Sequence, residues 1–177
     1  MKPQINAQSY HLRYSSDEDR LLLSVDLSPE SELAMLVTRR LTRNLIGALA
    51  KFVSDRGPVP GANSNLRETL LDFEHGHAVA AAKAEGQMRE ETRIKHPAVP
   101  VKLVHEVKLV PKPEGGLTLL FDNNEQLLAI DVAFDRLHMV IETIVQMAER
   151  AGWDFPPIAS WLDPAKGAEP EAGRVIN

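Results

Sequence analysis

Cysteine is missing altogether from this chain of 177 residues. That absence excludes disulfides, thiolate nucleophiles and any zinc or iron–sulfur centre held by cysteine. Aromatic residues are scarce at 5%, so aliphatic side chains must fill whatever core forms. No apolar run reaches the length of a membrane span, and the opening Met1-Lys2-Pro3-Gln4 lacks the hydrophobic segment of a secretory signal. The expectation is a soluble cytoplasmic protein with no membrane partner. Excess basic charge is lacking as well. A net charge of −5 gives no general attraction to phosphate backbones, so nucleic-acid binding requires a local basic patch.

Signature motifs are equally absent. Glycine clusters only at 57–61 and at Gly115-Gly116, and neither cluster continues into a phosphate-binding loop or a dinucleotide fingerprint. There is no Gly-x-Ser-x-Gly elbow, and the serines and threonines are scattered among turns. No catalytic residue, metal ligand or cofactor is assigned on these grounds.

What the chain does contain is a pattern that recurs. Residues 9–56 carry three apolar stretches, around Tyr10 to Tyr14, Leu21 to Val25 and Leu33 to Val37, and then a helical pattern from Arg39. Residues 102–153 repeat that order, with stretches around Val104 to Leu109, Leu117 to Phe121 and Leu127 to Val132, and a helical pattern from Asp135. A constant register pairs Leu21 with Leu117, Asp26 with Asp122, Arg40 with Arg136 and Leu41 with Leu137. The short polar connections between stretches suit antiparallel hairpins. Thr38 is placed as an N-cap, with Leu41, Leu45, Ala48, Leu49 and Phe52 on one face of the helix that follows. The fold class expected is α+β: two pseudo-repeated βββα units, each an antiparallel meander, joined by a long helix, with helices packed on one sheet face. Two ordinary α+β units that share hydrophobic periodicity remain the alternative to a true internal repeat.

The joining helix is expected over about 65–94, antiparallel to the first helix, with Leu66, Leu70, Phe73, His77, Ala81, Ala84 and Met88 as its apolar stripe. Residues 1–162 form one domain in this reading, and 163–177, rich in Ala, Gly, Pro and Glu, form a tail without fixed structure.

Candidate chemistry is sparse. His75 and His77 point about 200° apart on a helix and cannot hold one ion together. His75 aligns with Glu68 and Asp72, and His138 with Glu142, so two facing helices offer a carboxylate–histidine site, although such rows are common on solvated faces. His77 is expected in the core. The basic cluster Arg39, Arg40 and Arg43 stands out because cations at a helix N-terminus oppose the macrodipole. Arg40, Arg43, Gly47 and Lys51 share a stripe opposite the leucine face. An anion belongs nearby, supplied either by the acidic turns at 17–19 and 30–32 or by a partner. Trp153, Phe155 and Trp161 form a second candidate, either a strap over the core or an aromatic anchor for a partner.

These residues point to a non-enzymatic intracellular interaction protein, a small adaptor or assembly component. Its partner is another protein or a second copy of itself, met through Arg39, Arg40, Arg43 and Lys51, through Trp153, Phe155 and Trp161, or through a sheet edge. The alternatives are a nucleic-acid-associated factor that uses the basic helix face and, third, a metal-dependent or hydrolytic enzyme.

Overall fold

The alternation in residues 20–28 sets the frame. Leu21, Leu23 and Val25 are buried in the main core, while Ser24 and Asp26 take the other face of the strand. The same period runs through Leu117, Leu119 and Phe121 and through Leu128, Ile130 and Val132. In the computed structural model the described residues are 2–56, 64–85 and 99–162. Among them the chain is a mixed α+β protein with eight strands in two four-stranded sheets and three α-helices. The expected tail at 163–177, the glycine cluster at 57–61 and the far end of the joining helix lie outside the described residues.

The first sheet is built on a meander of β2 (Ser9–Ser15), β3 (Arg20–Ser28) and β4 (Ser31–Val37). Its register sets Leu12 opposite Leu23 and Leu23 opposite Met35 on the core face. The second sheet is built on β6 (Glu106–Pro111), β7 (Leu117–Asp122) and β8 (Leu127–Val132), with Leu109 opposite Leu119 and Leu119 opposite Ile130. The β6–β7 turn depends on glycine. Gly115 and Gly116 sit at φ of +93° and +74°, and a Cβ on Gly116 would stand 2.3 Å from the Val132 carbonyl oxygen.

Purely antiparallel strands were expected, and the sheet edges correct this. The short strand β1 (Gln4–Asn6) runs parallel to β8, with Ile5 opposite Leu128. The short strand β5 (Val101–Leu103) runs parallel to β4, with Lys102 opposite Met35. Each sheet therefore takes three strands from one half of the chain and its edge strand from the other. The crossing is abrupt. The Ala7 amide donates to the Ala129 carbonyl and the next amide, Gln8, donates to the Asp26 carbonyl, both at 2.9 Å. In the second half the Val104 amide donates to Leu36 at 2.9 Å and the next, His105, donates to Asp122 at 2.8 Å. Successive amides thus serve different sheets, so the strand expected around Val104 to Leu109 begins only at Glu106 as β6, and β5 precedes the crossing as a strand of its own.

Thr38 caps α1 (Arg39–Asp55), its hydroxyl accepting the Leu41 amide at 3.3 Å. The buried face of α1 carries Thr42, Leu45, Ile46, Leu49, Ala50 and Val53. A short 3₁₀ turn, Phe134–Arg136, leads into α3 (Leu137–Arg150), which buries Leu137, His138, Val140, Ile141, Ile144 and Ala148. The buried Thr42, Leu45, Ile46, Leu49 and Val53 of α1 share their spacing with Leu137, Val140, Ile141, Ile144 and Ala148 of α3, while Ala50 and His138 have no buried counterpart. The constant register that set Leu41 beside Leu137 is one residue off at the helices. The turn before β4 is the reason: between Asp26 and Glu32 it is one residue longer than the turn between Asp122 and Leu127. The two helices pack on each other, α3 also meets β2, and α1 also meets β3 and β6. Each helix thereby touches the first meander strand of the other half.

The joining helix is α2 (Ser64–Ala84). Its main contacts are α3 and the 3₁₀ turn Ser160–Leu162, not α1. The buried positions are Leu71, His75, Val79 and Ala82, while Phe73 is 70% exposed and Leu66 50% exposed. His77 is exposed too, so the expected stripe is the outer face of α2. Alanines on both sides of this helix leave its period indistinct, and burial followed the bulk of Leu71 and Val79 instead. No helix of the described residues is long and apolar enough to cross a membrane.

Candidate functional site

The basic face of α1 begins directly after β4, so the end of the first meander fixes where its arginines project. Arg39 is exposed but has neighbours from the rest of the fold: its guanidinium lies 5.8 Å from the centre of the Phe155 ring, and its charge acts on Asp19. That carboxyl is kept below its usual range first by the Trp153 indole N–H, then by the Tyr14 hydroxyl, with the Arg39 and Arg20 charges adding to it. Both hydrogen bonds are 2.9 Å. Arg40 and Arg43 are exposed and make no hydrogen bond or ion pair among the described residues. The first turn of α1 holds no acidic side chain either. Lys51 is tied to Asp55 at 2.7 Å, and a Cβ on Gly47 would meet Ile158 at 3.6 Å. The stripe expected to run from Arg40 to Lys51 is therefore interrupted by the chain's own Ile158, leaving two arginines at the N-terminal end.

The aromatic candidates lie inside. Trp153 and Trp161 are each 5% exposed; Trp153 packs edge-on against Tyr14 and Trp161 donates its indole N–H to Ser54 at 3.3 Å. Phe155 is partly buried against Trp153. Residues 153–162 thus run as a strap that ties α1, α3 and the β2–β3 turn together.

A cavity of about 420 Å³ opens between the two sheets and α3. Leu12, Leu21 and Leu23 wall it from the first sheet, and Leu119, Phe121 and Ile130 from the second. Tyr10, His11 and Arg13 of β2 lie along it with Gln146 and Arg150 of α3. No carboxylate lines it among the described residues.

No protein-family model, curated protein or solved structure matches this chain. Function has to be argued from these side chains.

Sequence spacing placed His75 and His138 on helices able to face one another, and the fold brings them together. The two Nδ1 atoms are 3.3 Å apart, His75 Nε2 lies 3.3 Å from Glu142 Oε2, and Gln146 donates to Glu142 Oε1 at 2.7 Å. A carboxylate only accepts, so the His75 Nε2–H is the donor to Glu142. Burial, and then the neighbouring His75 charge, pushes His138 down to about 4, while the bond from His75 holds Glu142 below its usual range. Trp161 covers both rings edge-on, at 5.2 and 5.7 Å. The cluster is a polar joint between α2, α3 and the strap. The described residues contain no group of three histidine or acidic side chains placed to bind a metal ion. Glu68 and Asp72, aligned with His75 by spacing, take no part in the cluster. His105 occupies the crossing between sheets.

Proposed function

We propose that this chain is a non-enzymatic adaptor or assembly component of the cytoplasm, and that its partner presents an acidic protein surface to the first turns of α1. One observation carries the reading. Of three neighbouring exposed arginines, Arg39 has the Phe155 ring and the Asp19 carboxylate for neighbours within the fold, while Arg40 and Arg43 make no hydrogen bond or ion pair among the described residues, at the helix end where a cation is disfavoured. A partner carboxylate would relieve both charges and receive bidentate hydrogen bonds. Nucleic acid is the weaker partner for this face, since the net charge of −5 opposes approach of a polyanion.

The test pairs Arg40→Gln/Arg43→Gln with the parent protein. Proteins co-purifying from the native host are identified, and each is then titrated directly against both forms at low and physiological salt. The expected result is unchanged circular dichroism and melting with affinity for one protein reduced by about tenfold or more. Equal affinity for every recovered protein overturns the reading, and loss confined to nucleic-acid binding transfers the face to the nucleic-acid alternative.

The reciprocal edge strands support a second proposal, that the halves around 9–56 and 102–153 are copies of one βββα unit. The matched crossings at Gln8 and His105 and the matched buried orders of α1 and α3 favour it over shared periodicity.

A further inference from the structure

Close-packed interiors leave few voids larger than a water molecule, so an opening of about 420 Å³ between two sheets and a helix calls for an occupant. That volume falls within the range of small-molecule sites. Its threonines ask for no polar partner. Two threonines line it, yet the Thr42 hydroxyl donates to Thr38 O at 3.0 Å and the Thr143 hydroxyl to Met139 O at 2.9 Å. Met139 and Met147, also in the lining, supply flexible thioethers that adapt to an apolar guest. The charge is one-sided: a chain with 25 acidic and 20 basic residues lines this opening with two arginines and no carboxylate among the described residues. Arg13 is half-buried there and makes no hydrogen bond or ion pair among the described residues, so its guanidinium is available to an anion that enters the opening.

We infer that this cavity is a binding site for a small amphipathic acid, its apolar chain lying among Leu23, Leu119 and Ile130 and its carboxylate on Arg13. The site is separate from the basic face of α1, and neither depends on the other.

Dodecanoate is the probe and dodecanol its uncharged counterpart, both kept below aggregation. In the full-length protein labelled at its methionine methyls, dodecanoate should show saturable binding that shifts Met139 and Met147 but leaves Met35, a buried methionine of β4 outside the lining, in place. Calorimetry should find dodecanol weaker. Arg13→Gln should weaken dodecanoate by about tenfold or more and leave dodecanol within about twofold. Three results overturn the inference: no saturable binding, shifts spread evenly over Met35 as well, or a dodecanoate affinity that Arg13→Gln does not change. Because the methyl readout uses the unaltered protein, it decides the matter even if the variant proves unstable.

Discussion

His138 shows how one side chain can set the acid stability of the protein. It is buried at 5% exposure and its pKa is lowered to about 4 from an ordinary 6.5, first by burial and then by His75. The groups facing it are His75 on α2, Glu142 one turn along α3 with Lys83 of α2 acting on it, and the uncharged ring of Trp161. Because the folded value is the lower one, the unfolded chain binds a proton first as the pH falls. The stabilisation is complete above about 6.5 and is lost as the pH drops toward 4. Glu142 is shifted in the same direction, but as a carboxylate its contribution disappears only at lower pH. The melting temperature is therefore expected to fall between pH 7 and pH 5. His138→Phe should flatten that slope, whatever it does to the stability at pH 7. A slope that persists in the variant would assign the loss to other groups.

Among the elements, α2 is the one whose sequence misleads, and a pair of substitutions measures by how much. Leu71→Ala removes a side chain at 3% exposure and is expected to cost about 2–5 kcal/mol. Phe73→Ala removes a larger ring that is 70% exposed and should change stability by less than about 0.5 kcal/mol. Urea titration of the two variants checks this, and the reverse order would restore the stripe read from Leu66, Phe73 and His77. By contrast α1 and α3 were legible because Leu45 and Leu49, or Ile141 and Ile144, face charged and polar residues across the helix. The meander strands were legible because Leu21, Leu23 and Val25 alternate. The three-residue strands β1 and β5 were not, since Gln4-Ile5-Asn6 has no periodicity to read and its pairing partner lies at Leu127–Ala129. Arg40 and Arg43 could be found from helical spacing, whereas the cavity could not, because it is a gap bounded by residues from both halves. Spacing offered His75 and His138 as facing groups, but only the docking of α2 on α3 made them meet.

At the scale of the whole molecule, the exchanged edge strands make each half incomplete. Without β5, the outer edge of β4 would present unpaired amides and carbonyls, and without β1 the same would hold for β8. The helices add to this dependence, since α3 meets β2 and α1 meets β6. One side chain binds the halves as well, since Lys2 grips both oxygens of Asp122 at 2.7 Å; Lys102 of β5 ties the first sheet to the second by reaching Glu125 in the β7–β8 turn at 2.8 Å, within the second half. The pairing of Ile5 with Leu128 also spans most of the chain, so the second sheet is completed only when both ends are present, a topology that folds slowly. A chain divided after residue 85 tests this dependence. The fragments 1–85 and 86–177 are each expected to lack a cooperative thermal transition, and their equimolar mixture should regain the transition and the circular dichroism of the intact protein. Recovery should slow as the mixture is diluted, since association then becomes part of folding. A fragment that unfolds cooperatively on its own would show that one half carries a sufficient core, and that the exchanged strands trim its edge without being required for its stability.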